Sequence, residues 1–209
     1  MAKLDYAIVT HMDADHINGL CDIIKGEEIA IQYLILPKLK NKDQDYKDLE
    51  CLALEHNIKI IYMIRGDRFT TDNVMIHCFH PGKEEFADCN NASLTFSLQY
   101  KQFKMLFTGD IEEAGQNVLL NVLEKETYDV YKVAHHGSKN SANKIFLQHI
   151  SPRISLISCG KNNPYGHPHE ETLKALRNID SKIYLTNISG AITIISNGES
   201  YQIQEWNNH

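Results

Sequence analysis

Cysteine is sparse in this sequence. Five occur in 209 residues, an odd number with no C-x-x-C pair, which excludes a disulfide scaffold and a thiolate zinc finger. Long hydrophobic runs are missing too. The longest apolar stretches, 31–36 and 58–64, fall far short of the roughly twenty residues that a membrane span needs. The opening MAKLDYAIVT has one lysine, an early Asp5 and only a brief apolar stretch, too short for a signal-peptide core. With unpaired cysteines, a reducing cytoplasm is the expected compartment. No repeat, Pro- or Gly-rich linker or composition break divides the chain, so residues 1–209 read as one domain. Basic excess is also lacking: the net charge of −6 argues against a general nucleic-acid coat. A hydrophobic fraction of 43% beside 23% charged residues excludes disorder, and the length supports a substantial core.

Histidine, by contrast, is plentiful, with eleven residues. A metal held by this chain would be held by imidazole and carboxylate, and the cysteines read as bystanders. Charge is unevenly spread: residues 1–131 carry 13 basic and 22 acidic side chains, residues 132–182 carry 8 and 3. The basic segment reads either as a run of solvated lysines or as a surface that meets an anionic substrate.

β-Branched and aromatic runs predict strands at 6–10, 33–36, 59–64, 74–79, 94–100, 104–108, 130–134, 154–158, 182–186 and 191–196, with a last one through 201–204. Lys101-Gln102 and Ser189-Gly190 read as hairpin turns. Helical spacing appears at 17–25, 46–56, 112–124, 142–150 and 169–178. The mixture predicts an α/β domain.

After the first strand, Thr10-His11-Met12-Asp13-Ala14-Asp15-His16-Ile17-Asn18-Gly19-Leu20 puts four ligand-type side chains within six residues. A strand ending at Thr10 and a helix starting near Ile17 would set them on one tight loop at the edge of a sheet, where α/β folds place chemistry. Packed together, His11, Asp13, Asp15 and His16 would suffer carboxylate repulsion without a cation; bound metal would turn that cost into binding energy. The alternative is an acidic surface turn in which Asp15 caps the helix.

This segment resembles the metal loop of the metallo-β-lactamase superfamily, H-x-H-x-D-H, with Asp13 replacing the second histidine. Four later stretches follow in matching order. They are Asn90-Asn91-Ala92-Ser93-Leu94, Phe107-Thr108-Gly109-Asp110-Ile111-Glu112, His135-His136-Gly137-Ser138-Lys139, and Gly160-Lys161-Asn162-Asn163-Pro164-Tyr165-Gly166-His167-Pro168-His169. Together they are similar to the C-terminal hydrolase domain of ComEC-type competence proteins, from about Leu4 to Ser196; the phosphorylcholine-esterase branch shares the variant. The resemblance implies a metallo-β-lactamase-like αββα sandwich. It also implies two divalent ions, zinc or manganese, bridged by Asp110, with His11, Asp13 and His136 on the first and Asp15, His16 and His167 on the second. Asp110 alone also reads as a helix N-cap with Glu113 completing a capping box. Adjacent residues leaving a strand point opposite ways, so one imidazole of His135 and His136 is expected at the metals. His136 is favoured, and His135 is the close rival. His169 is expected to cap or to transfer protons, while His56, His77, His80 and His149 read as structural or surface and His209 as terminal. No histidine occupies Asp88-Cys89-Asn90-Asn91, where the superfamily commonly has a ligand.

The expected chemistry is metal-assisted hydrolysis, favoring a phosphodiester. Asp15, His169 and Lys161 are the candidate catalytic residues, and Ser138, Lys139, Asn162, Asn163 and Tyr165 the candidate substrate contacts. The resemblance implies single-stranded DNA as substrate, although no aromatic-basic stretch supports nucleic acid independently. The rivals are a lactone, thioester or β-lactam hydrolase on the same fold, and a non-catalytic partner-binding domain. Family members have several further strands ahead of the metal loop. Their absence predicts a fragment, a sheet completed by another chain, or an oligomer formed through an unpaired edge.

Overall fold

The structure, a computed structural model, describes residues 2–86, 88–141 and 143–206. The chain opens as three parallel strands joined by two helices: β1 (Ala2–Ile8), α1 (Ala14–Gly26), β2 (Ile29–Pro37), α2 (Gln44–Glu55) and β3 (Lys59–Met63). Parallel neighbours need crossovers of this length. β2 is the middle strand, and its run Leu34-Ile35-Leu36 is fully buried, as expected for a strand covered on both faces. On α2, Tyr46, Leu49 and Ala53 recur at helical spacing and turn inward. Asp43 starts that helix by accepting the Tyr46 N–H at 2.8 Å.

A second sheet follows. β4 (Arg68–Thr71), β5 (Val74–His80), β6 (Thr95–Tyr100) and β7 (Phe103–Phe107) form an antiparallel meander. β8 (Val130–Lys132), β9 (Ile154–Ile157) and β10 (Lys182–Leu185) then add in parallel. The order is β10-β9-β8-β7-β6-β5-β4. Helices α3 (Glu113–Leu119), α4 (Lys144–Ile150) and α5 (Glu170–Arg177) connect the parallel strands. A short α6 (Thr186–Ser189) leads to a separate hairpin, β11 (Ala191–Ser196) and β12 (Tyr201–Trp206).

Three apolar layers hold this together. Ile35 and Met63 meet Ile76, Cys78 and Phe96 between the two sheets. Ile17, Ile24, Tyr46 and Leu49 cover the outer face of the first sheet. Leu119, Phe146, Leu147 and Leu176 cover the outer face of the second, against Leu106, Tyr131 and Ile157. The result is the helix–sheet–sheet–helix sandwich expected from the sequence. β1 lies at the edge of its sheet.

Local expectations fared unevenly. Lys101-Gln102 does turn β6 into β7, with Tyr100 opposite Phe103. Ser189-Gly190 does not join two paired strands: α6 intervenes, β10 pairs with β9, and β11 pairs with β12. The true turn is 197–200, where the Asn197 side chain accepts the N–H groups of Glu199 and Ser200, a local bond that asparagine makes readily. β4 was not expected, because its four residues Arg-Phe-Thr-Thr have too little pattern to stand out; β5 supplies its pairing. The helix expected over 112–124 is α-helical to Leu119 and then tightens, with Asn121 and Val122 bonding three residues back. Ala142, where another helix was expected to begin, lies outside the described residues, as does His209.

His80, at the end of β5, is fully buried, and its Nδ1–H donates to the Ser93 carbonyl at 2.9 Å. Burial holds its pKa below the ordinary 6.5. The unfolded chain therefore takes up a proton that the native state resists, and stability declines as the pH falls below 6.5. One such group contributes a slope of up to about 1.4 kcal/mol per pH unit. His80→Gln is expected to flatten this acid limb in urea-denaturation midpoints measured across that window; an unchanged slope would contradict it.

Candidate metal centre

The centre forms where several strands end on the same side. Past β1, the Val9 N–H still pairs with the Ile35 carbonyl, and the chain then turns through His11 to Asp13, which starts α1. The turn after β7 needs glycine: Gly109 has φ +55, and a Cβ there would lie 2.7 Å from Ser93 and 2.9 Å from Thr10. Asp110 follows, its N–H bonded to Ser93 Oγ. After β8, the His135 N–H reaches the Gly109 carbonyl at 3.3 Å. The buried Tyr131 hydroxyl accepts the Ala134 N–H and lies 3.4 Å from Thr108 Oγ1. These bonds stitch three loops from distant parts of the chain into one rigid floor.

Asp110 is the hub. Its side chain, 4% exposed, has Oδ1 3.4 Å from His16 Nε2, while Oδ2 lies 3.5 Å from His136 Nε2, 3.9 Å from His11 Nε2 and 4.0 Å from His135 Nε2. Asp13 Oδ2 is 3.6 Å from His11 Nε2. Asp15 Oδ2 is 3.0 Å from His136 Nε2 and 3.7 Å from His16 Nε2. Two convergent donor sets result: His11, His16 and Asp110, and Asp15, His16 and His136.

This geometry departs from the sequence expectations in three ways. Neither Asp110 nor Asp15 is a helix cap: Glu112 starts α3 and Asp13 starts α1. His135 and His136 do not diverge as strand residues would. Both take left-handed backbone conformations, φ 46 and 52, which cancel the alternation and aim both Nε2 atoms at Asp110. His136 also sits with Asp15 and His16, not with His11 and Asp13.

The donor set fits cations. His11 Nε2, His16 Nε2 and Asp110 Oδ1 are buried without hydrogen-bond partners, an arrangement that is costly without a counter-ion. His136 donates from Nδ1 to the Ser158 carbonyl at 2.7 Å, so its Nε2 faces the carboxylates as a lone pair unless the ring is protonated. His135 is fixed alike by Glu112, whose Oε1 accepts from Nδ1 at 2.9 Å. Burial raises the Asp110 pKa, but His16, His11 and His136 more than offset this and hold the carboxyl well below its usual range. His16 is also pushed down by burial, yet the Asp110 carboxylate 3.4 Å away, with Asp15, raises it overall. His11 is lowered, first by burial and then by His16.

The remaining expected residues divide. A cleft of about 650 Å³ opens on the centre, and Asn163, Tyr165 and His167 line it beside Asp15 and His136. The His167 ring lies 5.5 Å from that of His135 and 6.2 Å from that of His136. Tyr165, 74% exposed, stacks on His167. Asn163 is occupied in shaping the loop, bonding the Gly160 carbonyl and both backbone groups of His167. His169 begins α5 without a side-chain cap and packs against His167 at 5.0 Å. Ser138 is buried, its hydroxyl accepting the Asn140 N–H, so it shapes a turn and does not face the cleft. Lys139, Lys161 and Asn162 are exposed and do not line it. His56, His77, His80 and His149 lie away from the hub, in keeping with their structural reading; His149, for example, donates to the Leu123 carbonyl. Sequence reasoning missed Glu112, whose role depends on a fold contact with His135. It also missed Lys132, a half-buried cation on β8 whose pKa desolvation lowers while Asp110 counteracts. A lysine at the end of an apolar strand, just before His-His, was the only available signal.

Comparison with known proteins agrees with this fold. The metallo-β-lactamase superfamily model matches residues 2–161. The chain belongs to the metallo-β-lactamase superfamily. It is 35% identical over 176 residues to ComE operon protein 3 of Bacillus subtilis, covering 84% of this chain and 22% of that protein. It is 27% identical over 180 residues to Recombination protein 2 of Haemophilus influenzae, covering 86% and 21%. Competence protein ComA of Neisseria gonorrhoeae is 29% identical over 176 residues, with 84% and 23% covered. The chain thus spans about a fifth of the length of these curated relatives. Among solved structures, the diiron β-hydroxylase CmlA of Streptomyces venezuelae superposes with a TM-score of 0.60 at 11% identity, over 88% of this chain and 44% of that one. The metallo-β-lactamase fold protein YhfI of Bacillus subtilis gives 0.55 at 14%, over 87% and 74%. These two likenesses are of fold. Among the described residues no helix is long and apolar enough to cross a membrane.

Because Glu112 orients His135 through Nδ1, Glu112→Ala is expected to weaken one ion by about 10–100-fold. Calorimetric titration of the metal-free protein with Mn²⁺ or Zn²⁺ would show this as one weakened step beside one unchanged step.

Proposed function

We propose that this chain is a binuclear metal-dependent phosphodiesterase, with a DNA strand as the favoured substrate. The observation that carries the reading is the buried set of orphaned donors around Asp110, opening onto a cleft of about 650 Å³. His11 and Asp13 would hold one ion, with His135, whose Nε2 lies 4.0 Å from Asp110, as a further imidazole. Asp15, His16 and His136 would hold the other, with Asp110 available to both sets and His167 lining the cleft beside them. Three carboxylates among the donors suit manganese as well as zinc. When bound, two such ions supply a hydroxide at neutral pH and polarise a phosphoryl oxygen.

The chain's own groups do the rest. Glu112 and the Ser158 carbonyl fix the tautomers of His135 and His136, so both present lone pairs toward the hub. Lys132, half-buried on β8 and within electrostatic reach of Asp110, adds a positive charge that favours an anionic substrate. Tyr165, exposed and stacked on His167, offers a flat face at the mouth of the cleft. His169, packed on His167, is placed to relay a proton out of it. Two relatives are named for competence and recombination, and recombination is a reaction of DNA. The free cysteines fit a cytoplasmic setting.

Bis-p-nitrophenyl phosphate, single-stranded DNA and a simple lactone, assayed side by side with Mn²⁺ and Zn²⁺, test the reading. Turnover of both phosphodiesters and not of the lactone is expected, falling to background in Asp110→Asn. Turnover of the lactone alone would replace it with a carbonyl hydrolase.

A further inference from the structure

We infer that Cys89 is a positioning residue of the metal centre: its thiol holds the Asp13 carboxylate so that Oδ2 is turned toward His11. The inference rests on the metal-binding reading above and deepens it.

The first observation is the contact. Cys89 Sγ donates to Asp13 Oδ1 at 2.9 Å, across 76 residues of sequence. Among the described residues, this is the one hydrogen bond given to that carboxylate, and the second oxygen is left 3.6 Å from His11 Nε2.

The second observation is independent. Asp13 stands at the N-cap of α1 with extended backbone, φ −62 and ψ 144, yet makes no side-chain cap bond. An aspartate there ordinarily accepts an N–H from the first turn of the helix. Asp43 does so at the start of α2. Asp13 forgoes the cap and points the other way, toward His11, whose Nε2 is buried and unpartnered. A carboxylate drawn off its cap toward an orphaned imidazole is placed for an ion, and the thiol occupies the oxygen that the ion does not need.

The thiol is itself held in place. Cys89 precedes the tight turn Asn90–Ala92, which Asp88 clasps by accepting from the Asn91 N–H and side-chain amide. Asn91 Oδ1 accepts the N–H groups of Glu112 and Gly115, and the Leu94 N–H bonds the Thr10 carbonyl at 2.7 Å. The segment bearing Cys89 is thus tied both to the loop carrying His11 and to the one carrying Asp110. Because the thiol is committed to Asp13 Oδ1, the sulfur works through Asp13 rather than as a ligand.

Metal titration of the full chain decides the matter. Cys89→Ala is expected to weaken one of the two ions by about 10–100-fold with the other unchanged, and Cys89→Ser, which keeps a donor, to restore most of that loss. Cys89→Val, close in size and without a donor, should match Cys89→Ala and serves if the alanine variant unfolds. In an Asp13→Ala background the Cys89→Ala change should add nothing. With Co²⁺, the wild-type spectrum should lack a thiolate-to-cobalt charge-transfer band. Wild-type affinity for both ions in Cys89→Ala and Cys89→Val would overturn the inference. So would a charge-transfer band that disappears in Cys89→Ser, since Cys89 would then be a ligand. Failure of the unaltered protein to bind any ion would instead overturn the metal-centre reading, and this inference with it.

Discussion

A buried carboxylate facing imidazole lone pairs is the constraint on which the rest of this molecule depends. Asp110 lies among four Nε2 atoms at 3.4 to 4.0 Å. Neutral rings already committed through Nδ1 cannot all donate to it. His135 and His136 are so committed, one to Glu112 and one to the Ser158 carbonyl. Without a cation the cluster leaves three buried polar atoms unpaired, a cost that a folded protein carries only where a ligand or a proton relieves it. The electrostatics of the centre favour metal before any reaction is considered.

The sandwich exists to hold that cluster rigidly. Its ligands come from loops after β1, β7 and β8, and the cleft wall comes from the loop after β9. These elements belong to two sheets that pack through apolar side chains such as Ile35, Met63 and Phe96. Small features then refine the convergence. Gly109 lets the Asp110 turn press against Ser93 and Thr10. Two consecutive left-handed histidines turn both rings the same way. Glu112 and Cys89 each hydrogen-bond one side chain of the cluster, His135 and Asp13 respectively. In metal proteins, residues that touch ligands without touching substrate tune how tightly an ion is held.

Much of this was legible in the sequence. The H-x-D-x-D-H run beginning at His11, the strand closing on Asp110 and the His135-His136 pair all fall where strands end, and all reach the hub. The layered α/β architecture followed from strands and helices of familiar spacing. Other features were not legible, for physical reasons. β4 is short and polar and exists because β5 offers it an edge. The hairpin turn was misplaced because Ser189-Gly190 suits a turn as well as 197–200 does, and pairing partners decide between them. Ser138, Lys139 and Lys161 had the right chemistry in the right segment, but one is buried in a turn and two extend into solvent. The basic character of 132–182 reaches the centre instead through Lys132, inside the sheet.

The sequence by itself determined which donors share a turn, because residues a few positions apart cannot separate. Apolar spacing also determined a mixed α/β domain, and the motifs, through their resemblance to the metallo-β-lactamase superfamily, implied the four-layer sandwich. Only the tertiary structure decided which donors join across turns: His136 with Asp15 and His16, Glu112 behind His135, and Cys89 behind Asp13. Those pairings depend on the registers of strands in two separate sheets and on backbone angles at individual residues. Local spacing encodes neither, since each is settled by the packing of the whole core.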